Sequence, residues 1–202
     1  MPTGCSVWPA WWSVGPNWPE GGEIDIIEGV NTNSQNQYTL HTADGCQLDS
    51  TISASLHTAQ IVDSQCASSA ANNDGCAFID TDARSFGQNF NDIGGGVYAH
   101  LWDNTGIKAW HFPRNAVPPD IDAQQPNPAN WGSPAAFWSA KSCDVSSHFF
   151  DHVLTFDTTL CGDWAGSVYS SSGCPGTCAE AVSNPSNFDN ARWKINYVAV
   201  YN

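Results

Sequence analysis

The chain has 202 residues, with 6 lysines and arginines against 20 aspartates and glutamates and a formal net charge of −14. That length suits one domain with a single packed core. The charge argues against nucleic acid and anionic membrane surfaces, which need a basic face, and is compatible with an uncharged polymer such as a polysaccharide.

In chain order, the opening Met1-Pro2-Thr3-Gly4-Cys5 lacks the basic start and apolar stretch of a signal peptide. No segment is long and apolar enough to read as a transmembrane helix. Glu23–Val30 reads as a strand, followed by a polar turn over Asn31–Asn36 and a second strand over Gln37–Thr42. Ala43–Gly96 is rich in Cys, Ser, Asn and Gly and reads as irregular. Val97–Trp102, the turn Asp103-Asn104-Thr105-Gly106 and Ile107–Phe112 form a hairpin. Pro113–Pro134 is loop, His152–Phe156 a candidate buried strand, and Arg192–Tyr201 a terminal alternating strand. No stretch keeps a helical period for three turns, and neither a repeat nor a linker divides the chain. The pattern predicts an all-β sandwich or barrel.

Eight cysteines without a CxxC pair point to disulfides in an oxidising compartment rather than a zinc ribbon or thioredoxin-type motif. Eight cysteines allow 105 pairings. Cys66 with Cys76 is a plausible local pair, and Cys174 and Cys178 can form a tight staple or pair elsewhere. The ten tryptophans, many in polar or Gly/Pro-rich surroundings, can stack on sugar rings or fill the core of a sandwich.

The chemistry lies in Glu23-Ile24-Asp25-Ile26-Ile27-Glu28. Glutamate is otherwise confined to Glu20 and Glu180. Residues two apart on a strand share a face, so Glu23 and Asp25 point the same way. Glu28 stands an odd five steps from Glu23, which in a regular strand sends it to the other side. One β-bulge at Ile26-Ile27 returns it to the face of the other two. The Cα atoms of Glu23 and Glu28 are then roughly 13 Å apart, and side chains leaning inward leave carboxyls about 5–6 Å apart, the separation of a retaining glycosidase. Asp25 between them can share a proton with Glu23 and raise the cost of ionising all three. Glu28 is then favoured to keep its proton as the general acid. A solvated face rarely crowds three like charges.

These residues resemble the active-site strand of glycoside hydrolase family 16, and within it the fungal laminarinase-type endo-1,3(4)-β-glucanases. The likeness extends to Trp8-Pro9-Ala10-Trp11, Trp18-Pro19-Glu20-Gly21-Gly22, Gly29-Val30-Asn31, Thr39-Leu40-His41-Thr42, Phe112-Pro113-Arg114-Asn115, Cys161-Gly162-Asp163-Trp164-Ala165-Gly166 and Cys174–Cys178. The resemblance implies a jelly-roll β-sandwich of the concanavalin A-like kind with a glucan-binding cleft. It implies Glu23 as nucleophile, Asp25 as assisting acid, Glu28 as acid/base, and Trp11, Trp18, His41 and Trp164 as substrate-binding residues. It also implies a secreted, monomeric hydrolase of β-1,3 and mixed β-1,3/1,4 glucan with no cofactor and no metal in the cleft. Some members hold a distal calcium ion, for which nothing in this sequence identifies a site. Family members carry several strands ahead of the point matching Met1. Residues 1–202 are therefore expected to be the C-terminal major part of one catalytic domain, with the N-terminal strands missing. A cell-wall glucan transglycosylase, a glucan-binding module and an inactive fragment are the alternatives.

Overall fold

A computed structural model describes residues 1–49 and 51–202. Its strands are β1 (Val7–Val14), β2 (Glu23–Glu28), β3 (Gln37–His41), β4 (Gln60–Asp63), β5 (Cys76–Ile79), β6 (Gly96–Asp103), β7 (Gly106–Pro113), β8 (Ala136–Ser139) and β9 (Val153–Leu160). One sheet runs β4-β5-β3-β2-β1-β9 and the other β6-β7-β8, every ladder antiparallel.

The two sheets close on one apolar core. The first sheet sends in Ile24, Ile26, Ile27, Tyr38, Leu40 and Phe78, and the second sends Tyr98, Ile107, Ala109 and Trp138. This is the sandwich that the alternating pattern predicts, in which successive side chains point to opposite faces of a sheet and one face of each sheet meets the core. A smaller apolar cluster lies on the outer side of the second sheet. There Ile121 and Trp131, from the loop after β7, pack against Trp110 and Phe112.

All eight cysteines are bonded: Cys5–Cys174, Cys46–Cys143, Cys66–Cys76 and Cys161–Cys178. The local Cys66–Cys76 pair is as expected. Cys174 and Cys178 take separate distant partners and tie the segment after β9 back to β1 and to the end of β9. Among the described residues no helix is long and apolar enough to cross a membrane.

Three sequence expectations change. Arg192–Tyr201 is not a strand. Alternation makes a strand only where a neighbouring edge supplies ladder partners, and these residues pair with none; Ile195, Val200 and Tyr201 lie exposed. Only Trp193 docks, donating its indole N–H to the Asp157 carbonyl at 3.0 Å and packing edge-on to Phe156. Second, β1 is a central strand that does not read as one, since Pro9 lacks the N–H of a ladder residue. Third, Ala43–Gly96, read as irregular, holds β4 and β5, and short α-helices form at Gly87–Asp92 and Pro119–Asp122 within the stretches read as irregular or loop and at Val145–His148, Gly162–Ser167 and Cys178–Val182 outside them. Each helix is four to six residues long, too short to display a helical period.

Candidate active site

The bulge sits where the odd spacing requires it. Against β3, Glu23 faces His41 and Asp25 faces Thr39, the register then slips, and Glu28 faces Gln37. Against β1, Ile27 faces Trp11 and Asp25 faces Trp12, so Ile26 is the extra residue. A bulge strands backbone groups that the ladder would satisfy. The side chain of Asn36, wholly buried, takes both: its Oδ1 accepts from the Glu28 N–H at 3.0 Å, and its Nδ2 donates to the Ile26 carbonyl at 2.9 Å. The Asn36 backbone N–H is held in turn by Ser85 Oγ. Asn36→Ala should therefore cost about 2–4 kcal/mol of stability, measured by denaturant unfolding. It should also lower activity beyond what the loss of folded protein explains.

Glu23, Asp25 and Glu28 thus project from the face turned away from the sandwich core. Asp25 is buried, while Glu23 and Glu28 keep part of their surface open. Burial pushes Glu23 up to about 8, with Asp25's charge adding to it; His41 and the Trp18 indole act against the rise. Burial raises Asp25 to about 7, opposed by its hydrogen bond with Glu23 and helped by Asp157. Glu28 is held well above the ordinary carboxylate range by burial and then by Asp25, and Trp8 opposes this. The acids therefore hold protons near neutrality that isolated carboxylates would have lost.

The neighbours follow from strand parity. On β1, Trp8, Ala10, Trp12 and Val14 share the acid-bearing face. Trp8 donates its indole N–H to Glu28 Oε1 at 2.9 Å, and Trp12 faces Asp25. The structure puts Trp11 on the opposite face, opposite Ile27, stacked on Phe156 at 5.5 Å and packed against the core. Trp11 does not line the acids' face, because one step along a strand reverses the side chain. Trp18, from the β1–β2 loop, is exposed and its ring lies 6.4 Å from that of His41. That loop ends at Gly22, whose φ of +76° and close approach to the His148 carbonyl exclude a side chain. His41 Nε2 lies 3.3 Å from Asp25 Oδ2. Trp164 stands edge-on to Trp8 at 5.7 Å, at the Glu28 end.

Sequence reasoning did not single out Trp8, Trp12 or Asp157 as site residues. Asp157 on β9 faces Ala10, which faces Glu28. Its carboxyl is raised by burial and opposed by the Trp12 indole and Thr159. The strict alternation Trp8-Ala10-Trp12 was the available signal for β1.

Among the described residues, Glu23, Asp25 and His41 form a group whose ligand atoms lie within 4.8 Å of one another, close enough to meet on a cation. The same spacing serves a hydrogen-bonded row of acids and imidazole. Trp8→Phe removes the N–H that stabilises the Glu28 carboxylate, so Glu28 should hold its proton to higher pH. The basic limb of a pH–activity profile should move up and kcat should fall about tenfold.

Comparison with known proteins agrees with this geometry. Residues 1–201 match the family described as "XgeA-like, catalytic GH16 domain". A probable glycosidase of Schizosaccharomyces pombe is 45% identical over 205 residues, covering 100% of this chain and 48% of that protein. An endo-1,3(4)-β-glucanase of Arthroderma benhamiae is 41% identical over 212 residues, covering 100% of this chain and 46% of that protein. The chain thus spans somewhat less than half the length of these relatives. Laminarinase 16A from Phanerochaete chrysosporium, solved with two β-glucans in its donor and acceptor sites, superposes with a TM-score of 0.89 at 44% identity, over 95% of this chain and 66% of that one. An elongating family 16 β-1,3-glucosyltransferase superposes with a TM-score of 0.85 at 43% identity, with the same coverage of each chain.

Proposed function

Since the chain belongs to glycoside hydrolase family 16, we propose that it carries the acids of a retaining endo-β-glucanase acting on β-1,3 and mixed β-1,3/1,4 glucan. The observation that carries the reading is the bulge, which gives Glu28 the same face as Glu23 and Asp25.

A Glu23 carboxylate oxygen attacks the anomeric carbon as Glu28 protonates the departing glycosidic oxygen. The bond to the leaving sugar breaks and a glycosyl–Glu23 ester forms. Glu28, now a carboxylate, takes a proton from water, whose oxygen displaces Glu23 with net retention. Trp8 supports this, since its N–H stabilises the carboxylate that Glu28 becomes. Trp12, Trp18 and Trp164 offer aromatic faces to sugar rings, and the net charge of −14 suits a neutral polymer. Four disulfides support a secreted protein. The cleft works as a monomer without cofactor or metal.

The test is incubation with laminarin, following reducing-sugar release and the anomer first formed by proton NMR. The reading expects β-anomeric products. Binding without release would favour a glucan-binding module. Products longer than the substrate would favour transglycosylation, an activity named for one structural neighbour.

A further inference from the structure

His41 is held from two sides. Its Nε2 lies 3.3 Å from Asp25 Oδ2, and its Nδ1 lies 2.9 Å from Ser68 Oγ. Ser68 belongs to a loop closed by the Cys66–Cys76 disulfide. That loop is laced to the residue next to His41: the Thr42 N–H donates to the Cys66 carbonyl and the Ser68 N–H to the Thr42 carbonyl, both at 2.9 Å. At its far end Gly75, with φ +66°, packs so tightly that a Cβ there would lie 2.8 Å from His41 Cε1. The imidazole is therefore clamped by a covalently closed loop.

Ser68 has one hydroxyl hydrogen and two neighbours for it. The Cys66 carbonyl, 3.1 Å away, can only accept. A hydroxyl that donates to this carbonyl turns a lone pair to His41 and accepts from Nδ1–H. The neutral ring then carries its proton on Nδ1 and presents the Nε2 lone pair to Asp25. Asp25 Oδ2, 3.3 Å from that nitrogen, is buried and has no hydrogen-bond partner.

We propose that Ser68 is a positioning residue: through His41 it draws the proton shared by Glu23 and Asp25 onto Asp25 Oδ2, so that Glu23 is the carboxylate left free to attack. The inference rests on the retaining mechanism proposed above. Glu23, whose cross-strand partner is His41, Glu28 on the same strand, and Asp157 on β9 are the other titratable groups acting on this pair. Burial and the charge of Asp25 hold Glu23 at about 8 against about 7 for Asp25, an order that leaves the proton on Glu23. An Asp25 hydroxyl donating to the fixed Nε2 lone pair reverses it, keeping Asp25 uncharged and removing the like charge that opposes ionising the nucleophile.

Two readouts on the full chain test it. Nitrogen-15 NMR of labelled histidines at pH 8, with His41 assigned by its loss in His41→Gln, should find the His41 proton on Nδ1. Ser68→Ala should move it to Nε2, and Ser68→Thr, which keeps the hydroxyl, should leave it on Nδ1. This measurement needs no turnover, so it stands apart from whether laminarin is a substrate. In kinetics, Ser68→Ala should lower kcat about tenfold with KM changed less than about twofold, and move the acid limb of the pH profile up by about half a unit to one unit. Ser68→Thr should restore both. A wild-type proton on Nε2, or a Ser68→Ala enzyme with an unmoved tautomer and acid limb, overturns the proposal.

Discussion

Glu23→Gln should abolish glucan hydrolysis, with kcat lowered at least about 10⁴-fold, and should at the same time stabilise the fold. The amide keeps the size of the carboxyl but cannot form the glycosyl ester, so the double displacement stops at its first step. Stability moves the other way because of where Glu23 sits. Burial raises its carboxyl from 4.5 to about 8. A carboxyl with a raised folded value is harder to ionise in the folded protein than in the unfolded chain. Its penalty is absent below about 4.5, grows as pH rises toward 8 and is complete above that. The variant should match the wild type in melting temperature near pH 4. At pH 8 it should exceed it by roughly 2–5 kcal/mol, about 5–15 °C for a domain of this size. Calorimetry at the two pH values checks this; equal melting temperatures at both would mean that Glu23 is not desolvated. The strand is thus a site where stability is given up for reactivity.

Glu28→Gln should fail differently. With laminarin the leaving oxygen needs its proton, so kcat should drop about 10³-fold. With an aryl β-glucoside that leaves readily, formation of the glycosyl ester should be far less affected. Hydrolysis of the ester then becomes slow, because no base activates water. Added azide should restore turnover and give a β-glycosyl azide, since azide needs no base. A Glu23→Gln enzyme should show neither behaviour. If the two variants respond alike to the leaving group and to azide, the roles assigned to these residues are wrong.

How much of this was legible in the sequence depends on whether the information was local. The bulge was legible because Glu23, Asp25 and Glu28 lie on one strand, and a five-residue gap admits few ways to bring the outer pair together. The all-β class and the β6–β7 hairpin were legible for the same reason: alternation and the Asn104-Thr105 turn are short-range signals. Trp11 was not. Its neighbour Trp12 takes the acids' face, and the choice rests on how β1 registers against β2. Asp157 reaches the site only because β9 pairs with β1 across more than 140 residues of chain. Ser68 reaches it because a disulfide closes its loop beside His41. Arg192–Tyr201 makes the converse point. Its alternation is as regular as that of a true strand, and it forms none, because a strand is a property of a pair.

On the proposed mechanism Glu23 becomes covalently attached to sugar while Asp25 and Glu28 do not. Incubating the protein with a 2-deoxy-2-fluoro laminaribioside bearing a good leaving group should trap the ester, because fluorine at that position slows both its formation and its hydrolysis and the leaving group speeds only its formation. Proteolysis and mass spectrometry should then locate the added mass on Glu23. An adduct on Asp25 or Glu28, or α-anomeric products from laminarin, would contradict the account.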